Sequence, residues 1–233
     1  MNWSRPSRRA RLLPPPGSGR LPVSFADDVL ERARHVRLLV LDVDGVLTDG
    51  GLHFTEAGET MKRFSTLDGQ GLKLLKEVGI TPAVITGRDS AALRTRLHAL
   101  GIEHVRYGTE DKAPAAAEIL KTLGLDWSQA AHMGDDWPDL AVMTRVAFAC
   151  APSNAHVEVK AVAHHVTERE GGHGAAREFC DLLLVASGRA AQIWGGAGDD
   201  TIEGLGGADY IEGGSGNDTI DGGTYGDLIL GQE

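Results

Sequence analysis

The sequence is short of cysteine, of long apolar runs and, beyond residue 20, of clustered basic charge. Only Cys150 and Cys180 occur in 233 residues, with no CxxC spacing, which excludes a disulfide framework or a cysteine-based zinc site and fits a reducing cytosol. No apolar run reaches the ~18 residues of a membrane span, so no membrane association is expected. Residues 1–20 carry five arginines and no acid, residues 21–188 carry 17 basic and 24 acidic groups, and residues 189–233 carry one arginine and nine acids. The net charge of -10 therefore describes no single region, and an acidic chain without a basic face argues against a nucleic-acid partner. The basic start holds Pro14-Pro15-Pro16 and an Arg8-Arg9 pair with no apolar stretch behind it. That pattern argues against a secretory or twin-arginine signal, and residues 1–22 read as a disordered basic leader.

What the chain does have is periodicity. Short apolar runs at Val36–Leu41, Ile80–Ile85, His104–Tyr107, Ala130–Met133, Val146–Ala149 and His164–Val166 alternate with amphipathic stretches near 70–78, 89–99, 113–123, 138–144 and 174–186. Runs so short and so apolar predict parallel strands covered on both faces, hence an α/β doubly wound parallel sheet. Leu52–Thr55 and Thr60–Ser65 alternate in character around Glu56-Ala57-Gly58, which predicts a β-hairpin after the first strand.

At Trp194 the composition changes. The segments GGAGDDTIE, GLGGADYIE, GGSGNDTID and GGTYGDLIL follow in register, with aspartate at 200, 209, 218 and 227 and isoleucine at 202, 211, 220 and 229. Of the 31 glycines, 13 lie in residues 195–231. The pattern resembles the RTX-type calcium-binding nonapeptide repeat. Glycine permits tight turns, stacked isoleucines supply a narrow core, and Asp200, Asp209, Asp218 and Asp227 offer hard oxygen ligands for Ca²⁺. The resemblance implies a short β-roll over residues 194–231, with Asp200 facing Asp218 and Asp209 facing Asp227. Only Gly231-Gln232-Glu233 follow the array, and a cytoplasmic location is expected.

The chemistry concentrates at the ends of the strands. Val36–Leu41 runs into Asp42-Val43-Asp44-Gly45, so two carboxylates at i and i+2 point the same way at a strand's carboxyl end. Burying both there calls for a cation. The second strand ends in Thr86-Gly87-Arg88, whose hydroxyl, backbone amides and guanidinium at a helix start suit a phosphoryl group. Lys112 stands at the next strand-to-helix turn, and Asp135, Asp136 and Asp139 follow the fourth strand. Acids, a hydroxyl, a lysine and acids again are the set that Mg²⁺ and a phosphate ester require.

This series resembles the haloacid dehalogenase-like phosphatases. The wording DVDGVLTDG, KRFSTLDGQGLKLL, ITGR, GDDWPDL and GGHGAAREFCDLLL, over about residues 25–187, is similar to the 3-deoxy-D-manno-octulosonate (KDO) 8-phosphate phosphatases. That resemblance implies a Rossmann-like domain over residues 23–188 without a large cap, acting on a small-molecule sugar phosphate in lipopolysaccharide precursor biosynthesis. Asp42 would be the nucleophile and Asp44 the general acid and base. Mg²⁺ would be held by Asp42, the Asp44 carbonyl and Asp135, with Asp136 and Asp139 orienting around it. Thr86, Gly87 and Lys112 would hold the phosphoryl group. Arg88 would meet the sugar carboxylate, where relatives acting on a nine-carbon sialic-type acid carry glutamate. Lys62, Arg63, Lys73 and His173 are further candidates near the substrate, each equally readable as solvated surface. The hairpin would build a homotetramer. A nine-carbon substrate, or a calcium-dependent binding module on an inactive phosphatase scaffold, stand as alternatives.

Overall fold

The computed structural model describes residues 25–56, 58–187, 196–197, 199, 201–203, 210–221 and 228–230. The expected leader therefore lies outside the described residues. Two compact units are formed, one by residues 31–183 and the other by the two ends, 1–30 and 184–233.

The chain opens with α1 (Asp27–Ala33), β1 (Leu38–Leu41) and the hairpin of β2 (His53–Thr55) and β3 (Gly58–Met61). Next come α2 (Thr66–Glu77), β4 (Thr81–Ile85), α3 (Ala91–Ala99), β5 (His104–Arg106) and α4 (Lys112–Leu123). β6 (Ala130–Met133), α5 (Trp137–Met143), β7 (Phe148–Ala151), α6 (Val157–Val162), β8 (His165–Val166) and α7 (Ala175–Ala186) complete the series.

Six strands form one parallel sheet in the order β5-β4-β1-β6-β7-β8. Leu38, Leu39, Val40 and Leu41 are all buried, because each face of β1 is covered. On one face Leu38, Val40, Ala83 and Ile85 pack with Ala116, Ile119 and Leu120 of α4 and Val142 and Met143 of α5. Alternation turns Phe148 to the other face, where it stacks on Phe179 of α7 with ring centroids 5.5 Å apart. From β1 the chain moves outward through β4 and β5, then returns to β6 on the opposite side of β1. The carboxyl ends of β1 and β6 thus flank the point where strand order reverses, where such sheets bind their ligands.

Several boundaries differ from the sequence pattern. The second hairpin strand was expected over Thr60–Ser65 but runs over Gly58–Met61. Gly58 takes φ +103, which places it directly opposite Thr55, and Ser65 leaves the ladder to cap α2 by accepting from the Asp68 N–H. That cap also starts α2 at Thr66 rather than near residue 70. α1 and α6 were not anticipated; α6 is one short turn rich in β-branched valine, a weak helix signal. Among the described residues no helix is long and apolar enough to cross a membrane.

In the other unit, β9 (Gly196–Ala197), β10 (Thr201–Glu203), β11 (Tyr210–Glu212), β12 (Gly214–Ser215), β13 (Thr219–Asp221) and β14 (Leu228–Leu230) are short. Each pairs in parallel with the strand two repeats on: β9 with β12, β10 with β13, β11 with β14. Ile202 lies opposite Ile220 and is buried.

Candidate active site

The loop after β1 is folded on itself. The Val43 carbonyl accepts from the N–H groups of Val46, Leu47 and Thr48 at 3.2, 2.9 and 3.0 Å, and Gly45 adopts φ +89, a left-handed conformation that favours glycine. The loop is also fastened from behind. Asn154 donates from Nδ2 to the Gly45 carbonyl at 3.3 Å and accepts the Gly171 N–H at 2.8 Å. The Gly172 N–H donates to the Val46 carbonyl at 2.9 Å.

Lys112, the first residue of α4, is buried and lies between two carboxylates, 2.8 Å from Asp42 Oδ1 and 2.7 Å from Asp139 Oδ1. Asp139 also receives His132 Nε2 at 2.8 Å on Oδ1 and the backbone N–H groups of Asp135 and Asp136 at 3.1 and 3.4 Å on Oδ2. Burial opposes its ionisation, but the His132 and Lys112 contacts prevail and hold its carboxyl at about 2. Asp42 is pushed the other way, by burial first and then by the charge of Asp139, against the pull of Lys112. Burial also opposes the charge on Lys112, yet the two carboxylates beside it keep its ammonium above the ordinary range. Asp135 is the group left short. Its Oδ1 is buried with no hydrogen-bond partner among the described residues, and burial together with the charges of Asp42 and Asp139 raises its carboxyl to about 8. Oxygens of Asp42, Asp135 and Asp139 lie within 4.8 Å of one another.

Asp44 sits on the outer side. Its Oδ1 pairs with Lys62, which also lies 2.9 Å from Glu59 Oε1 on β3, and its Oδ2 lies 3.7 Å from Arg88 Nε. The Lys62 side chain is only 1% exposed, so it is no solvated surface charge. Thr86 is buried after β4 and its hydroxyl oxygen accepts the Arg88 N–H at 3.2 Å. Asp136 caps α5 by accepting the Trp137 N–H at 2.8 Å.

One cleft of about 400 Å³ collects Asp42, Asp44, Thr86, Gly87, Arg88, Lys112, Asp135, Asp136 and Asp139, and adds Glu110 and Pro138. Sequence reasoning missed Glu59, Glu110 and His132. Glu59 lies on the hairpin, and its i,i+3 spacing from Lys62 was the available signal. Lys73 is exposed on α2. Arg63 is exposed and lies 2.8 Å from His173 Nε2 and 3.4 Å from Asp49 Oδ2. Of the four expected calcium ligands, Asp200, Asp209 and Asp227 lie outside the described residues. Asp218 is half-buried and packs so closely on Gly213 that a Cβ there would stand 2.4 Å from its Oδ2.

Residues 105–179 match the haloacid dehalogenase-like hydrolase family, and residues 192–231 match four copies of the RTX calcium-binding nonapeptide repeat. The 3-deoxy-D-manno-octulosonate 8-phosphate phosphatase KdsC of Yersinia pestis is 44% identical over 161 residues, 69% of this chain and 86% of the relative. The chain belongs to the KDO 8-phosphate phosphatase family. Two solved structures agree. A probable YrbI family phosphatase from Pseudomonas syringae is 48% identical with a TM-score of 0.69, over 70% of this chain and 93% of that one. The KDO 8-phosphate phosphatase of Moraxella catarrhalis, solved with magnesium, phosphate and KDO, is 40% identical with a TM-score of 0.67, again over 70% and 93%. The haloacid dehalogenase-like match ends at residue 179, before the repeats, which match a different family.

Proposed function

We propose that this protein is a Mg²⁺-dependent phosphatase that converts 3-deoxy-D-manno-octulosonate 8-phosphate to the free sugar acid and phosphate. One observation carries the reading: Asp42 Oδ1 lies 2.8 Å from Lys112, in the cleft that also holds Thr86, Asp44 and Asp135. The relative solved with magnesium, phosphate and KDO supports the substrate class.

The residues fit a hard divalent cation. Asp135 offers a buried oxygen with no partner among the described residues, and burial together with the neighbouring carboxylates Asp42 and Asp139 raises its carboxyl to about 8, a setting a bound cation would relieve. Asp42, Asp135 and the Asp44 carbonyl would hold Mg²⁺, which supplies charge neutralisation for the nucleophile and the phosphoryl oxygens. Asp42 attacks phosphorus, the bond to the sugar oxygen breaks, and Asp44 donates its proton to that oxygen. Water then attacks the aspartyl-phosphate, Asp44 takes a proton from it, and phosphate departs. Lys112, the Thr86 hydroxyl and the backbone at Gly87 stabilise the phosphoryl oxygens. Arg88, 46% exposed at the mouth and only loosely paired, meets the substrate carboxylate. Asp139 holds Lys112, and Asp136 fixes the start of α5.

Phosphate release from eight- and nine-carbon sugar-acid phosphates, with and without Mg²⁺, tests this. Release should require Mg²⁺, favour the eight-carbon substrate and vanish in Asp42→Asn. Full turnover in that variant removes Asp42 from the mechanism, and no turnover of either substrate rejects the reading.

We further propose that residues 194–231 bind Ca²⁺ through Asp200, Asp209, Asp218 and Asp227; parallel pairing of strands two repeats apart supports it. Calorimetric titration with Ca²⁺ should show binding, which alanine at those four positions abolishes. We propose a cytoplasmic homotetramer, supported by the exposed Leu52, Phe54 and Met61 at the hairpin, where 61% of Phe54 meets solvent. A monomer in sedimentation would refute it.

A further inference from the structure

His132 lies in the middle of the central sheet and takes no part in the chemistry above. It is fully buried in β6, a strand whose other residues are Ala130, Ala131 and Met133. Its Nε2 stands 2.8 Å from Asp139 Oδ1. A carboxylate oxygen only accepts, so Nε2 is the donor in this contact. Nδ1 is buried without a hydrogen-bond partner among the described residues. An apolar side chain would fill this strand position without that cost, so packing does not account for the imidazole.

We infer that His132 is a positioning residue for phosphoryl transfer, acting through Asp139 to set where Lys112 stands beside Asp42. A carboxylate has about four acceptor sites. Asp139 fills them with His132 and Lys112 on Oδ1 and the N–H groups of Asp135 and Asp136 on Oδ2. Removing the imidazole donor leaves Lys112 as the sole partner of Oδ1. The ammonium is then drawn fully onto Asp139, or the carboxylate rotates off the two amides. Either movement takes Lys112 from its 2.8 Å contact with Asp42 and from the incoming phosphoryl group. A displacement of about 1 Å at such a group costs on the order of 100-fold in rate.

The inference rests on the phosphatase reading, and the test separates the two. His132→Gln keeps an amide donor near the Nε2 position, and His132→Met has nearly the same shape without a donor. In the full-length Mg²⁺-loaded enzyme, kcat should fall about 30- to 100-fold in the Met variant with KM changed less than about threefold. The Gln variant should stay within about fivefold of wild type, with both variants melting alike. Wild-type kcat in the Met variant overturns the inference, and so does an equal loss in both variants. If the Met variant does not fold, His132→Asn replaces it, since its shorter amide falls short of Asp139; equal kcat in the Asn and Gln variants is then the overturning result. Should wild type release no phosphate from any sugar phosphate, the phosphatase reading fails by itself. Stabilisation of wild type, Gln and Met forms by Mg²⁺ with beryllofluoride, a mimic of phosphorylated aspartate, then decides the role of His132. A smaller melting shift in the Met form supports it, and equal shifts in all three overturn it.

Discussion

Gly45 lies flush against Asp135: a Cβ at Gly45 would stand 2.0 Å from Asp135 Oδ2. The loop after β1 and the loop after β6 therefore meet with space for a hydrogen and nothing larger. The φ of +89 at Gly45 adds a second reason for glycine.

Gly45→Ala should accordingly displace Asp135 and strain the loop together. We expect at least a 100-fold loss of kcat, on the order of one misplaced catalytic group, and about 2 kcal/mol of destabilisation from the left-handed backbone. Steady-state kinetics and urea unfolding check both, and near-normal turnover would contradict the close contact.

The cluster predicts an unusual pH response when no divalent cation is present. Asp135 has its carboxyl at about 8 in the folded protein against an ordinary 3.8, chiefly through burial and then through Asp42 and Asp139. The folded state holds that proton more tightly, so its stabilising contribution is complete below about pH 4 and is lost as pH rises through about 8. Asp139, held at about 2, contributes in the opposite sense, its share vanishing only as pH falls below 4 through 2. In chelator, the melting temperature should fall from about pH 5 to 9, while Mg²⁺ increasingly restores it, because the ion binds the ionised carboxylate. A gap between the two curves that does not change with pH would refute this.

Lys62→Met should be costly for a residue outside the strand-end motifs. The substitution removes the nearer cation shared by Asp44 and Glu59, whose side chains are 20% and 12% exposed, and leaves them only the longer Arg88 contacts of 3.7 and 4.0 Å. Removing one partner of a buried pair costs about 3 kcal/mol. Turnover should also drop more than about tenfold, since Asp44 loses the contact that fixes its carboxylate. Denaturant unfolding alongside kcat tests this, and an unchanged midpoint would show that Lys62 is not held as the structure places it.

The strand-end residues were legible because a parallel sheet delivers every carboxyl end to one edge. Asp42 and Asp44, Thr86 to Arg88, Lys112, and Asp135 to Asp139 each follow a short apolar run, so order along the chain translates directly into a shared cleft. Lys62 and Glu59 were not legible in the same way. They arrive from the hairpin, and only its pairing of Phe54 with Glu59 and the inward turn after Met61 bring them to Asp44. His132 hid inside an apolar strand, where pattern alone cannot tell a hydrogen-bonding imidazole from a filler. In the tail the nine-residue period was plain, and the pairing of Thr201 with Thr219 follows its two-repeat spacing.

The fastening of the β1 loop has a consequence for synthesis of the chain. Asn154, Gly171 and Gly172 come more than a hundred residues after Gly45, yet they hold the carbonyls of Gly45 and Val46. A Cβ at Gly171 would stand 1.8 Å from the Gly45 oxygen, so this late segment is pressed directly onto the early one. Asp42 leaves the ribosome early, and the backbone that shapes its loop arrives only when the domain is almost finished. A nascent chain stopped before Asn154 carries every strand-end residue of the cleft and still lacks the whole brace behind Asp42.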